Sequence, residues 1–383
     1  MPWTETSPVE QRIKFIADLH LGLYSMSDLC ARYSISRRTG YKWRQRHLDD
    51  GQAGLQDRSH ATHSCPHRMS DEVADLIIWA RLEHPDWGAR KLIAWLRPRF
   101  PEIQQWPASS SGSNLLARQG LIPPNRRRRR PKHPGAVPPT THEPNDLWTA
   151  DFKGQFRTGD GAEVYPLTIA DLHTRYLLTC QSLPGVGIKG TRPHFERAFR
   201  EYGLPKAIRT DNGPPFCSKA IHGLSRLNVW WLRLGIQHQR IRPASPQENG
   251  AHERRHRTLK RAACRPTKAT PTAQQRAFNH FRAEFNHDRP HEALDDDTPG
   301  SRYHPSPRNY THRLPTIDYP GHFTVKRVTN QGSIRFKHKV LFLSRTLDRL
   351  PVGLEETEDG IWSLYFIDLL IAKIDERNVK LIF

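Results

Sequence analysis

LWTADFKGQF, at residues 147–156, is the stretch of this sequence from which the central fold can be worked out. It is largely apolar, as a buried strand would be, and Asp151 interrupts it at its centre. An acid is disfavoured inside a strand unless something uses it, so Asp151 is a candidate site residue. Two further apolar stretches, AEVYPLTIAD at 162–171 and TRYLLTCQSL at 174–183, predict an antiparallel meander together with the first.

The residues that follow alternate between helical and strand-like patterns. A helix is predicted across about residues 189–202, and then a short strand, KAIRT, that runs directly into Asp211. Another helix is predicted at 220–234, the strand IQHQRI at 236–241, and a long basic helix from Gln247 onward. Strands that alternate with helices after a meander predict a mixed sheet covered by helices, which is an α/β domain.

Three acids stand out by their positions in this pattern. Asp151 interrupts a strand, Asp211 ends a strand and opens the turn DNGPPF, and Glu253 lies on the basic helix. Arg257 and Lys260 follow Glu253 on the same side of that helix. Three acids that converge are tolerated only if cations neutralise them. Two magnesium ions held by carboxylates are the usual arrangement for in-line attack at a phosphate, so these acids predict metal-dependent phosphoryl transfer.

Four segments of the chain resemble a known family in combination and in order. They are WTADF at 148–152, RTDNGPPF at 209–216, SPQENGAHERRHRTLK at 245–260 and FNHDRPHEAL at 285–294. They resemble the DDE transposases of bacterial insertion sequences, which share the retroviral integrase catalytic core. The resemblance implies a ribonuclease-H-like core at residues 145–305. It also implies catalytic and metal-binding roles for Asp151, Asp211 and Glu253, with two Mg²⁺ ions for which Mn²⁺ can substitute.

The third acid has a rival, and the core contains a further acid. Glu248 lies closer to the family's customary spacing from Asp211, but Glu253 follows the Gly of NG and precedes the basic helical residues. We therefore prefer Glu253 and assign the extra length to an elongated helix around residues 224–235. Asp171 resembles the acid of the family's β-turn and is predicted to be structural.

The N-terminal residues 1–60 predict a helix-turn-helix DNA-binding domain. Its second helix is expected at about Ser27 to Tyr33, with Ser27 as the cap, and Ser36 is a good cap for the third. The third helix of the domain is the second of the helix-turn-helix pair, the one that enters the major groove, and it is basic. The residues expected to contact DNA are Arg37, Arg38, Lys42 and Arg44. The alternative is a plain three-helix bundle with a solvated basic face.

A second helical unit and a linker separate this domain from the core. Residues 68–122 predict two amphipathic helices, with Pro85 and Gly88 between them, and a third helix, an arrangement that suits another small DNA-binding domain. Residues 123–144 are rich in proline and cannot form a core. Either they form a basic strap across DNA phosphates or they are simply a soluble linker. The strap would consist of Arg126, Arg127, Arg128, Arg129 and Arg130.

The C-terminal residues 310–383 become strand-rich again. Short alternating strands separated by Asn, Gly and Asp turns predict a small β-barrel of the SH3-like type. The resemblance implies a role in DNA binding or multimer assembly, and a passive stabilising domain is the alternative. The predicted fold is therefore multidomain, with all-α helix-turn-helix units, an α/β core and a β-barrel.

Composition restricts the partners. Lys and Arg number 59 against 39 Asp and Glu, a formal net charge of +20, which favours nucleic acid as the partner through counterion release. No apolar run is long enough to span a membrane, and no membrane partner is expected.

Five scattered cysteines, never spaced as CxxC, argue against a disulfide framework and for a reducing compartment. We expect a bacterial cytoplasmic protein that is associated with the nucleoid when it is bound to DNA.

The resemblance implies a transposase that binds the terminal inverted repeats of an insertion sequence, cuts DNA strands and joins them to a target. Its partners would be double-stranded DNA, as transposon ends and target, and further copies of itself, at least a dimer when two ends are paired. Arg257 and Lys260 are expected to contact end phosphates, although a solvated helix face is the alternative. A catalytically silent DNA-binding protein or repressor, and a nuclease that never joins, are the other hypotheses.

Overall fold

The computed structural model describes residues 7–58, 69–122, 140–218, 220–241 and 250–382. The chain divides into two compact units, Met1–Arg68 and Met69–Phe383. None of the described helices is both long enough and apolar enough to cross a membrane.

The described residues of the first unit form three α-helices, α1 (Pro8–His20), α2 (Met26–Arg32) and α3 (Arg37–Asp50). The predicted cap of α3 is confirmed, because the Ser36 hydroxyl accepts a hydrogen bond from the Thr39 amide. The predicted cap of α2 is wrong. Ser25 caps this helix by accepting from the Asp28 amide, and Ser27 lies inside the first turn.

The second unit begins with α4 (Asp71–Glu83), α5 (Ala89–Leu96) and α6 (Ser109–Arg118). These helices enclose a core of their own, to which Ile77, Leu92 and Leu116 contribute fully buried side chains. The break between α4 and α5 falls where the sequence predicted, because Pro85 follows the C-cap of α4 and Gly88 is the N-cap of α5. Ion pairs then attach this helical part to the following domain, for example Arg90 to Glu292 at 2.7 Å.

The central sheet contains six strands. They are β1 (Leu147–Phe152), β2 (Phe156–Arg157), β3 (Glu163–Asp171), β4 (Leu177–Leu183), β5 (Ala207–Thr210) and β6 (Gln237–Arg240). β3 pairs antiparallel with β1, β2 and β4, whereas β5 pairs parallel with β1 and β6. The predicted mixed sheet is therefore confirmed, and two parallel strand ends, those of β1 and β5, are adjacent.

Helices cover both faces of this sheet. One face packs against α7 (Ile188–Tyr202) and α8 (Arg226–Arg233), which bury aromatic side chains such as Phe199 and Trp231. The other face packs against α9 (Gly250–Ala262) and α10 (Pro271–His287), through Leu259 and three phenylalanines of α10. A short helix, α11 (Pro299–Arg302), follows.

The helix predicted at 220–234 is wrong in its first part. A 3₁₀ turn occupies Ile221–Gly223, and α8 begins only after Ser225. Gly223 has a φ of +67°, which a continuous right-handed helix does not accommodate. Ser225 then forms a capping box with Asn228, so the chain restarts as a new helix.

The C-terminal strands form an open sheet. They are β7 (Thr324–Arg327), β8 (Ser333–Phe336), β9 (Lys339–Phe342), β10 (Pro351–Glu358), β11 (Ile361–Phe366), β12 (Leu369–Asp375) and β13 (Lys380–Ile382). Five of them pair in the order β13-β12-β11-β10-β7, while β8 and β9 form a separate hairpin. The predicted barrel closure is not found between the described strands, because the end strands β7 and β13 do not pair with each other.

Candidate active site

Two of the predicted acids lie side by side at the carboxyl ends of neighbouring strands. β1 and β5 run parallel, with Ala150 opposite Thr210. Asp151 follows Ala150 in β1, and Asp211 follows Thr210 directly after β5. Because neighbouring strands are about 4.8 Å apart, the two backbones present these acids at the same edge of the sheet.

Asp211 carries a buried oxygen whose hydrogen-bonding needs are unmet. Its Oδ1 is buried and has no hydrogen-bond partner among the described residues. Burial raises the pKa of this carboxyl above its ordinary value. The next residue is held in place, since the Asn212 side-chain amide donates to the Ile241 carbonyl at 2.8 Å. A buried carboxylate oxygen without a partner is costly, and a cation beside it would remove that cost.

His256 on α9 connects the third predicted acid to the sheet. Its Nε2 lies 2.9 Å from the Thr168 hydroxyl of β3, and its Nδ1 lies 3.9 Å from Asp151 Oδ2. The Thr168 hydroxyl also contacts the Asp151 carbonyl, at 3.3 Å. Burial, aided by Arg255 and Lys153, lowers the pKa of His256 to about 3, so its imidazole is neutral at physiological pH.

Glu253 lies one helical turn before His256, in the first turn of α9. Residues three apart lie on the same side of a helix, so Glu253 lies on the side of α9 that carries His256. Its side chain is exposed. Glu248, the rival acid, lies outside the described residues.

The three acids are not drawn together around one point in this structure. Within the described ranges, no group of three His, Cys, Asp or Glu side chains is arranged to hold a metal ion. The structure thus brings Asp151 and Asp211 together and puts Glu253 on the adjacent helix. The donors themselves are the oxygen ligands that magnesium prefers, and the unmet oxygen of Asp211 is consistent with a cation site.

Arg255 is a functional candidate that the sequence analysis missed. It is 4% exposed, although arginine is almost never fully buried without a partner. Burial lowers its pKa to about 10, whereas Asp151 and Asp171 favour its charged form. The run of consecutive basic residues in this helix drew attention to a solvated face. The one sequence signal that could have marked Arg255 as buried is its position near the middle of a helix that covers the sheet.

Asp171 is structural, as predicted. It is fully buried, its Oδ1 accepts from the Asn145 amide, and its Oδ2 accepts from both the amide and the hydroxyl of Thr174. Oδ2 is thus satisfied by the turn between β3 and β4, and Oδ1 by the backbone just before β1, whereas Oδ1 of Asp211 has no such partner.

The predicted DNA-contacting residues are exposed where the structure describes them. Arg257 and Lys260 are exposed on α9. On α3 the same holds for Arg37, Arg38, Lys42 and Arg44. The predicted strap, Arg126 to Arg130, lies outside the described residues.

Comparison with known families agrees with this arrangement. The model of the integrase core domain matches residues 141–246, and a second model with the same description matches residues 234–299. Models of homeodomain-like domains match residues 7–56 and 39–111.

Proteins of bacterial insertion elements are similar to the chain. An uncharacterized 39.2 kDa protein of insertion element IS476 from Xanthomonas euvesicatoria is 27% identical over 211 residues, 54% of this chain and 58% of that protein. An uncharacterized 31.7 kDa protein of insertion element IS407 from Burkholderia multivorans is 30% identical over 152 residues, 39% of this chain and 52% of that protein. The matches thus span little more than half the length of these relatives.

Retroviral proteins are also similar. The Pol polyprotein of a radiation murine leukemia virus is 28% identical over 131 residues, 34% of this chain and 21% of that protein. Among solved structures, the HTLV-2 integrase catalytic core in complex with magnesium covers 42% of this chain and 98% of its own, at 18% identity and a TM-score of 0.34. A simian T-cell lymphotropic virus intasome structure covers 72% of this chain and 97% of its own, at 17% identity and a TM-score of 0.38. Residues 141–299 of this chain thus match models of the integrase core domain, and residues 7–111 before them match models of homeodomain-like domains.

Proposed function

We propose that this chain is the transposase of a bacterial insertion sequence, which binds the element's terminal inverted repeats and catalyses metal-dependent strand cleavage and strand transfer. The observation that carries the proposal is the pairing of Asp151 and Asp211 at adjacent strand ends, with an unmet buried oxygen on Asp211. Such a pair within an integrase core domain suits phosphoryl transfer.

Asp151, Asp211 and Glu253 would hold two Mg²⁺ ions, for which Mn²⁺ can substitute. When bound, such ions favour ionisation of the attacking oxygen and stabilise the leaving oxygen at a phosphate. The attacking oxygen would be water in the cleavage step and a DNA 3′-hydroxyl in the joining step. No covalent intermediate with the protein is then required.

The chain's own side chains prepare this site. The Thr168–His256 contact holds the middle of α9 against β1 and β3, one helical turn after Glu253. The carboxylate of Asp151 favours the charged form of the buried Arg255 guanidinium, which is thereby held beside the site. Arg257 and Lys260 extend from the same helix and would contact end phosphates.

The remaining parts of the chain would recognise DNA and assemble copies. The domain at 1–60 would place α3 in the major groove, and the unit at 68–122 would add a second contact. The segment at 123–144 would act as a basic strap, and the β-rich domain at 310–383 would assist DNA binding or assembly. The protein would act in the bacterial cytoplasm on double-stranded DNA at the nucleoid, as at least a dimer when two ends are paired.

One observation favours a second candidate. The described acids do not form a closed metal-binding group, which would also fit a silent DNA-binding protein derived from a transposase. Such a protein would bind the terminal repeat without cutting it.

Strand transfer on a labelled duplex that carries the element's own terminal repeat separates the two candidates. With Mg²⁺ or Mn²⁺, the wild type should cut and join, whereas Asp151→Asn, Asp211→Asn and Glu253→Gln should lose both steps. Glu248→Gln is the matched control and should retain them. A wild type that binds the repeat but neither cuts nor joins it would establish the silent protein instead.

A further inference from the structure

One side of α4 is exposed, acidic and partly apolar, in a chain whose formal net charge is +20. Trp79 and Leu82 are 44% and 62% exposed. Four exposed acids lie around them, and at roughly 100° per residue all six side chains fall within about a third of the helix circumference. The acids of this surface, which we call the acidic face of α4, are Asp71, Glu72, Asp75 and Glu83.

The acidic face is not needed to hold its own domain in place. The ion pairs between this helical part and the core start from Arg90 and Arg99, and His84 Nδ1 lies 3.6 Å from Glu284. In the part of the chain that the structure describes, no cation forms an ion pair with the four acids of α4. Their negative charge repels phosphates, so this face is unsuited to DNA. An exposed tryptophan and leucine beside it indicate a protein partner, because such residues are enriched at interface cores or mark interaction sites.

The hairpin of β8 and β9 presents the complementary surface. Arg335 lies opposite Val340, and Ser333 opposite Phe342, so these four side chains share one side of the hairpin. Val340 and Phe342 are 70% and 59% exposed. We call this side the outer face of the hairpin. The other side is anchored in the C-terminal core by Ile334, Phe336 and Leu341.

We propose that the acidic face of α4 in one copy of this chain binds the outer face of the β8–β9 hairpin in a second copy. Charge supports the pairing. On the hairpin, Arg335 lies beside the apolar side chains of Val340 and Phe342. On α4, the acids surround the apolar side chains of Trp79 and Leu82, so opposite charges and apolar surfaces would meet. Both faces are exposed in the same chain, so they do not cover each other within it. Two copies can exchange the contact reciprocally, which gives a closed two-fold dimer. This deepens the proposed function, because pairing two transposon ends requires two copies.

Sedimentation velocity of the full chain, without DNA or metal, tests the contact. The wild type should show a concentration-dependent dimer. Asp75→Arg combined with Glu83→Arg, and separately Arg335→Glu, should each raise the dimer dissociation constant by about tenfold or more. All three substitutions in one chain should restore dimerisation, because position 335 and two of the four acidic positions then exchange their charges across the contact. Glu102→Arg and Lys326→Glu, at exposed positions outside the two faces, are the matched controls.

Thermal unfolding of each variant verifies that the fold is retained, as expected for surface substitutions. A wild type that sediments as a monomer at all concentrations would overturn the proposal, and so would variants with unchanged mass. If Arg335→Glu weakens duplex binding while the α4 variants change nothing, the hairpin faces DNA and the proposal is wrong. None of these outcomes depends on cleavage activity, so failure of this contact is distinguishable from failure of the proposed function.

Discussion

The imidazole of His256 on α9 lies 2.9 Å from the Thr168 hydroxyl on β3, between Nε2 and Oγ1. Thr168 stands directly opposite Asp151 in the pairing of β3 with β1. The hydroxyl therefore connects the helix that carries Glu253 to the strand that carries Asp151. Because His256 is buried and neutral, it can take part in this contact without introducing a second charge beside Asp151.

Thr168→Val should slow strand transfer by about tenfold while it lowers the free energy of unfolding by only about 1 kcal/mol. The variant removes the hydroxyl that holds α9 but leaves all three acids in place. Single-turnover kinetics and urea unfolding measure the two effects. Thr149→Val is the matched control, because the Thr149 hydroxyl donates to the Ala170 carbonyl within the same strand pair and does not reach α9. Equal losses of activity in both variants would contradict a positioning role for Thr168.

Asp171→Asn should destabilise the fold by about 1–3 kcal/mol, because an amide group would face donors that now meet carboxylate oxygens. Thermal unfolding of this variant and of Asp151→Asn checks the prediction. Asp151→Asn should keep the stability of the wild type more closely and lose activity completely. An Asp171→Asn protein with unchanged stability and abolished activity would instead make Asp171 a catalytic residue.

His291 should make the fold sensitive to acid. Burial lowers its folded pKa to about 3, below the ordinary value of 6.5. Below pH 6.5 the imidazole of His291 therefore takes up a proton in the unfolded chain but stays neutral in the folded chain. Its contribution to stability is complete above that pH and is lost as the pH falls toward 3. His291→Gln should reduce the slope of unfolding free energy against pH by about 1.4 kcal/mol per pH unit.

Urea unfolding at several pH values between 4 and 6 measures that slope. His280→Gln is the control, since His280 is exposed on α10. Comparable slopes for the wild type and His291→Gln would show that His291 does not cause the acid sensitivity.

Replacing Arg257 and Lys260 with alanine should weaken binding to the terminal repeat and to unrelated duplexes alike. Each phosphate contact contributes about 0.9 to the slope of log K against log salt concentration, so the slope should fall by nearly two. Fluorescence anisotropy over a range of salt concentrations measures it. Arg200→Ala is a suitable control, because Glu196 already pairs with Arg200 at 2.6 Å. A salt slope that does not change would leave these two residues as a solvated helix face.

The sequence by itself determined the parts of this protein that depend on neighbouring residues. Apolar periodicity and local caps, such as Ser36 before α3, set the position of most helices. Asp151 in a strand and Asp211 at a strand end were recognisable because an acid in such a setting breaks the local pattern. Where two local signals compete, sequence reasoning failed, as with Ser25, which caps α2, and Ser27, which lies inside its first turn.

Only the tertiary structure decided which side chains meet across the sheet. Arg255 and His256 belong to a run of basic residues that looks solvated, yet packing of α9 on β1 and β3 buries most of both side chains. Whether the C-terminal strands close was likewise settled by long-range pairing, since β7 and β13 carry no local signal about their partners. Local sequence reports the propensity of a segment, whereas burial and pairing depend on residues far away along the chain.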